Sequence, residues 1–217
     1  MKAHHLYLVG VLACALVPAI APAQVEQSAE LKEVLARQAE RAQRRERGLA
    51  EFQQELLPLA EAGEPVAQFY LGTMLVGGNP GAAIPYLTAS ANAGCAGAAG
   101  ILAVYSWASG AGRGEELLER AISGGDAASM YLRATKHWRG DDGFAKSTAE
   151  ALAWAQLAHE RSYSKGLTPE TERMMAALRS AATSDEVAEA AARFEALDSQ
   201  FPKKPFYVCG QSVPSEG

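Results

Sequence analysis

The sequence predicts an all-α protein in which paired antiparallel helices stack as a solenoid. Two series of glycines alternate along the chain at near-constant spacing. They are Gly63, Gly94 and Gly124 in the first series and Gly78, Gly110 and Gly140 in the second. Alanine-rich apolar stretches follow the first series. Because glycine readily adopts the left-handed conformation that ends helices, each period of about 30 to 40 residues is typical of one helix pair. No segment alternates apolar and polar residues with period two, so no sheet is expected.

The first residues resemble a secretory signal. Lys2 supplies a positive charge, residues 6–20 are nearly all apolar, and residues 21–23 (Ala-Pro-Ala) offer the small side chains that a signal peptidase reads. We therefore expect residues 1–23 to be removed and the protein to be periplasmic or secreted. Two alternatives are a retained anchor helix, for which the apolar run is short, and lipidation at Cys14.

The charge balance disfavours nucleic acid as a partner. The chain has 25 Asp and Glu against 20 Lys and Arg, and cleavage after Ala23 would remove Lys2 and no acid. The densest basic run, residues 41–47, spreads its arginines around a helix and interleaves them with other residues, which is typical of a solvated face. No membrane span is expected after signal cleavage, and we expect a monomer.

Two helices are expected before the repeats. Residues 24–47 are a good helix former with few large apolar side chains, so this charged helix is expected to lie loosely against the array or to extend from it. From Gly48 the apolar density rises, and Phe52 and Leu56 mark a second helix that packs and ends at Gly63.

Three helix-pair units follow, and two further helices close the chain. The units are expected at 64–94, 95–124 and 125–166, the third being longest because of the polar loop 140–147. Residues 167–200 are expected to form the two C-terminal helices, and the first of them opens at Thr168-Pro169. The second begins at Ser184 with Glu186 in its first turn. The tail, 201–217, is rich in Pro, Gly and Ser and is expected to be irregular.

Two runs in this region resemble the halves of a Sel-one-like repeat (SLR), a relative of the tetratricopeptide repeat. They are residues 60–78 and 149–166. The matching positions are Gly63, Ala67, Leu71, Gly72, Gly78, Ala151, Trp154, Ala155, Ala158 and Gly166. The family pattern has glycine after the leucine, where this chain has Ala103 in the middle unit and Arg133 in the third. The resemblance covers about 48–166 and implies a right-handed superhelix that holds proteins together, often in secreted or periplasmic bacterial settings; it implies no substrate.

A column of large side chains on the first helices is the candidate binding site. The repeat register places Val76, Trp107 and His137 at equivalent positions on successive first helices. First helices line the inner curve of such solenoids, so we expect the column to face a groove in which Trp107 is a binding anchor. The alternative is that Trp107 fills space left by small neighbours such as Gly100 and Ala103.

The sequence assigns no catalytic residue, metal or cofactor. The run Ser162-Tyr163-Ser164-Lys165 has the S-x-x-K spelling of penicillin-recognising serine enzymes, but the Lys-Thr-Gly element that this motif works with is missing. His137 and His159 are too far apart in sequence to form a helical metal-binding pair. The loop at Asp141-Asp142 lacks the alternating oxygen ligands of a calcium loop.

The function expected from these observations is protein or peptide binding at the cell envelope. The main alternative is an envelope enzyme or binder acting on cell-wall or β-lactam-like material, since cysteine-rich relatives of the repeat are credited with such activity. Those relatives have a disulfide in each repeat, whereas Cys95 is the one cysteine in these repeats. A third possibility is an envelope assembly scaffold without a ligand of its own.

Two cysteines remain once the signal is removed, and we expect them to form a disulfide. Cys95 is expected at an accessible turn between repeats. Cys209 follows the apolar residues 206–208 in the tail, which suggests that the tail folds back along the helices. The alternative is a small buried thiol at Cys95 and a free thiol at Cys209.

Overall fold

Ten α-helices and no strand occur in the part of the chain that the structure, a computed structural model, describes: residues 28–43, 48–162, 167–201 and 209. In chain order they are α1 Ala29–Gln43, α2 Leu49–Glu61, α3 Pro65–Leu75, α4 Pro80–Asn92, α5 Ala96–Ser109, α6 Gly114–Ser123, α7 Ala127–Arg139, α8 Thr148–Arg161, α9 Leu167–Ala181 and α10 Ser184–Gln200. The predicted all-α class with paired helices is confirmed. That the pairs follow a right-handed superhelix stays a prediction. The expected signal, with Cys14, lies outside the described residues.

The repeat register differs by one residue from the predicted register in the third unit. Gly63, Gly94 and Gly125, each 31 residues apart, adopt positive φ angles of 95°, 97° and 89°. Gly124, the glycine that the sequence favoured, instead ends α6 with a φ of −73°. The position after the leucine, Gly72 in the first unit, therefore recurs as Ala103 and Ala134, and Arg133 takes the leucine position. In the second glycine series Gly110 and Gly140 have positive φ, whereas Gly78 does not.

The described residues divide into two compact units, one holding those up to Leu102 together with Cys209 and the other those from Ala103 to Phe201. In the first unit α1 packs on α2, α2 on α3 and α3 on α4. Leu31 and Val34 of α1 are buried, with exposed fractions of 0% and 4%. The expectation of a loosely attached N-terminal helix is therefore wrong for this part of α1, because its few apolar side chains fall on one face and bury together.

Helices α3 and α4 approach closely at Gly72. A Cβ atom built on Gly72 would lie 2.7 Å from Cγ of Leu87 and 3.3 Å from the carbonyl oxygen of Ala83. Gly72 and Leu87 are both buried. The leucine side chain thus fills the space that any larger residue would need, so the glycine is required by helix packing and not by a turn.

In the second unit the helices gather around α8. This helix packs against α7, α9 and α10, and α6 packs on α7. Alanines make up much of the buried surface of α8, together with Leu152, Trp154 and Leu157. A helix with apolar residues on most of its faces needs neighbours on most of its sides, and three helices supply them here.

The last helix, α10, begins at Ser184 and is capped by the residue before it. The side chains and main chains of Thr183 and Glu186 form a reciprocal capping box. The hydrogen bonds from Thr183 hold the pKa of the Glu186 carboxyl below its ordinary value.

Among the described residues, no helix is long and apolar enough to cross a lipid bilayer.

Substituting Gly72 by alanine tests the close contact in the first unit. Gly72→Ala should lower the free energy of unfolding by about 1–3 kcal/mol through overpacking against Leu87, although alanine favours helices. Gly81→Ala is the matched control, because its Cβ atom would meet only Oδ1 of Asn79 at 3.7 Å; this change should be neutral or stabilise by up to about 1 kcal/mol. Urea denaturation measures both. Equal stability of the two variants would contradict the packing described.

Candidate functional site

Trp107 lies on α5, and the start of α6 packs against its indole ring. A Cβ atom on Gly114, the first residue of α6, would overlap the indole. The main-chain N–H of Arg113 donates to Oγ of Ser106 at 2.9 Å, which fixes the turn between the two helices. The small residue beneath Trp107 is therefore Gly114 of α6.

Phe144 brings a second ring to the same place from the loop between α7 and α8. Its ring centroid lies 6.2 Å from that of Trp107 and 5.2 Å from that of His137, with interplanar angles of 75° and 86°. These edge-to-face arrangements are favourable for aromatic rings. Trp107, His137 and Phe144 are all half-buried. Together they form a ring cluster, the name used below for these three side chains.

Two cations of α7 lie beside the ring cluster. Nζ of Lys136 lies 4.7 Å from the Trp107 ring centroid. Cζ of Arg133 lies 5.6 Å from the Phe144 centroid and 4.8 Å from that of Trp154 on α8. Lys136 and Arg133 are 9% and 8% exposed. Such burial of a cation is costly unless anions and ring faces compensate for the lost water.

Carboxylates supply that compensation. Arg133 forms an ion pair with Glu119 of α6. Lys136 pairs with Asp142, and its Nζ lies 3.4 Å from Oδ1 of Asp141. Both aspartates belong to the α7–α8 loop, so the same loop provides the aromatic ring and the anions of the cluster.

His137 is held in a defined orientation by the same loop. Its Nδ1 lies 3.1 Å from the carbonyl oxygen of Ala145. A carbonyl can only accept, so Nδ1 carries the proton and donates. The main-chain N–H of Ser147 donates to the carbonyl oxygen of His137 at 3.0 Å. These two bonds tie the end of the loop to the last turn of α7.

Only part of the predicted column of Val76, Trp107 and His137 is accessible to solvent. Trp107 and His137 meet around Phe144, whereas Val76 belongs to the other unit and is 6% exposed, so its side chain is unavailable to a ligand. In the observed register, 31 residues after Trp107 comes Trp138 and not His137. Trp138 is 44% exposed, which makes it a second large aromatic side chain on α7 open to solvent.

Sequence reasoning missed Lys136, Arg133 and Phe144. The spacing of Arg133 and Lys136 places both on the inward face of α7, but charged residues are ordinarily assigned to solvent. Phe144 is the single aromatic residue in a loop of small and polar residues. That contrast is the sequence signal that could have identified it as part of the site. Trp154 is 2% exposed and its Nε1 donates to Glu150 at 3.1 Å, so it is a core side chain.

The other sequence motifs lead to no further site in the described residues. Ser162 ends α8, and its main-chain N–H donates to the carbonyl oxygen of His159 at 3.2 Å; Lys165 lies outside the described residues. Within the ranges given above, no group of three or more His, Cys, Asp or Glu side chains is placed to hold a metal ion.

Cys95 and Cys209 are joined by a disulfide in the structure, across 114 residues of sequence. Both belong to the first unit. Cys95 precedes α5 and is 1% exposed, and Cys209 is 3% exposed. Cys95 thus lies between repeats as predicted, but it is buried and not accessible, because Ser90 and Pro65 lie against it.

Comparison with known proteins adds one structural likeness. The sequence matches no protein-family model and no curated protein. The crystal structure of a protective antigen present in uropathogenic Escherichia coli strains, described as displaying an SLR fold, is similar to this chain with a TM-score of 0.48 and 18% sequence identity. The likeness covers 89% of this chain and 54% of that protein, so the chain spans about half of that protein's length. A likeness of this degree concerns the fold alone.

Thiol titration of the chain beginning at Gln24 tests the disulfide. Unfolded without reductant, the protein should show no free thiol and a monomeric mass. Reduction should lower the free energy of unfolding by about 4–5 kcal/mol, because the bond closes a loop of 114 residues. Cys95→Ser is the control and should show one free thiol in the monomer. Two free thiols in the unreduced, unsubstituted chain would contradict the bond.

Proposed function

We propose that this protein is an exported, monomeric repeat protein that binds a protein or peptide partner in the cell envelope. The observation that carries the proposal is the half-buried ring cluster beside Lys136 in the second unit. Tryptophan is enriched among the residues that dominate binding energy, and such residues are surrounded by packed neighbours. Trp107 has that setting, since Gly114 lies beneath it and a cation lies over its face.

The chemistry of the cluster suits a polypeptide ligand. Ring edges and faces accept apolar and aromatic side chains, and the two buried cations favour carboxylates. Trp138 adds exposed aromatic surface on the same helix as Lys136 and His137. The net negative charge of the chain, −5 at pH 7, opposes binding to phosphate backbones. The helix pairs support the repeat-scaffold part of the proposal, because each pair has a similar first helix.

Substitution of Trp107 tests the binding role. Trp107→Ala should weaken partner capture from an envelope extract by more than about tenfold, as loss of an aromatic anchor costs about 2 kcal/mol or more. His137→Ala should weaken it less. Ile84→Ala, which truncates an exposed side chain in the other unit, is the control and should leave capture unchanged.

A stability comparison separates binding from packing in the same experiment. Trp154→Ala removes a buried side chain and should cost about 3–5 kcal/mol. Trp107→Ala should cost clearly less. If Trp107→Ala destabilises the protein as much as Trp154→Ala and the folded fraction still captures the partner normally, Trp107 belongs to the core and the binding proposal is wrong.

Export gives a separate prediction. The intact mass of protein recovered from the periplasm or medium should correspond to a chain that begins at Gln24, because the small residues at 21–23 fit a signal-peptidase site. A fatty-acylated species beginning at Cys14 would contradict cleavage after Ala23 and would place the protein on a membrane surface.

A further inference from the structure

The α7–α8 loop, residues 140–147, occupies the ring cluster with its own side chains. Phe144 contacts Trp107 and His137 edge to face, and it lies within 5.6 Å of Cζ of Arg133. Without Phe144, Trp107 and His137 would border a recess that has cations on one side. A loop of this composition would ordinarily remain in solvent, so its aromatic side chain marks the recess as a place that accepts such a ring.

The loop also supplies the carboxylates that lie beside Lys136. Lys136 is 9% exposed and lies over the Trp107 ring, so its charge requires a nearby carboxylate. Asp142 and Asp141 provide it from the loop. The side chains of these aspartates are still 34% and 39% exposed, so another carboxylate could replace them without rearranging the helices.

Residues 140–147 connect α7 and α8 without belonging to either helix. Gly140, Asp142 and Gly143 all have positive φ angles, of 71°, 52° and 88°. Asp142 is the one residue among them for which that conformation carries a steric cost. Between these glycines and Ser147, residues Ala145 and Lys146 are exposed. Two hydrogen bonds join the C-terminal end of the loop to α7. The main-chain N–H of Ser147 donates to the carbonyl oxygen of His137, and Nδ1 of His137 donates to the carbonyl oxygen of Ala145.

We infer that residues 141–144, Asp-Asp-Gly-Phe, act as an internal ligand, and that the partner is a protein segment presenting a carboxylate pair followed within two residues by an aromatic side chain. This inference rests on the proposed function and names the chemistry of its partner. The carboxylates of the partner pair with Lys136, and its ring replaces Phe144 between Trp107 and His137. A cationic segment is disfavoured, because Lys136 and Arg133 already lie beside the recess.

The test uses a peptide copied from the loop, residues 140–146 with blocked ends and a fluorescent label. It is added to the full mature chain and to an open-loop variant, Asp142→Asn with Phe144→Ala. Binding is measured by fluorescence anisotropy. The open-loop variant should bind the peptide at least about tenfold more tightly than the unsubstituted protein, because the internal competitor is absent. Asp142→Asn alone should give a smaller gain, and it keeps a residue type that tolerates positive φ if the double variant does not fold.

Three controls assign the binding to these groups. Lys136→Met in the open-loop background should weaken peptide binding by at least about tenfold, and so should peptides in which both aspartates are asparagine or phenylalanine is alanine. A peptide with both aspartates changed to lysine should bind no better than these. Circular dichroism verifies that each variant is folded.

The outcomes separate this inference from the proposed function. A folded open-loop or Asp142→Asn protein that does not bind the peptide, or binds it equally well with Lys136→Met, overturns the inference. If capture of the partner still depends on Trp107 in that case, the proposed function stands. Loop-dependent dimerisation that the peptide does not reverse also overturns the inference, since the occupant would then be a second copy of the chain.

Discussion

The structure depends on short side chains at the places where helices touch. Gly72 lets Leu87 of α4 pack directly on α3, the alanines of α8 allow three helices to surround it, and Gly114 lets α6 begin against the Trp107 indole. At each contact, the absence of a side chain on one helix lets a larger side chain from the neighbouring helix pack closely. Because dispersion and apolar burial both grow with such contact, small residues contribute to stability through the neighbours that they admit. The position of Trp107 is a consequence of this packing.

The second unit buries two cations, each of which is paired with at least one carboxylate. Arg133 lies between Phe144 and Trp154 and pairs with Glu119, and Lys136 lies between Trp107 and the aspartates of the loop. Arg133 pairs with a carboxylate on a helix, Glu119 of α6. Lys136 pairs with the carboxylates of a loop, and in the proposed exchange the carboxylates of the partner replace them. That difference makes Lys136 the point at which an external acidic segment could enter.

Much of this architecture could be predicted from the sequence, since glycine spacing and alanine-rich stretches report directly on helix ends and contacts. The register of the third unit could not, because Gly124 and Gly125 are adjacent and only the backbone shows which is left-handed. The burial of Leu31 was missed because a sparse apolar face packs only if a partner helix is present. Within the site, Trp107 and His137 were identified, but Phe144 and Lys136 depend on a loop conformation that composition does not determine.

Replacement of the internal ligand by a partner requires that the α7–α8 loop open while α7 and α8 remain folded, and native-state hydrogen exchange measures that opening. The amide of Ser147 reports on the loop through its bond to His137, and the amide of Ala151, bonded to the carbonyl of Ser147, reports on α8. Ser147 should exchange through a local opening with a lower free energy than Ala151 and with little dependence on denaturant. Exchange of both amides only by global unfolding, with equal free energies, would contradict it.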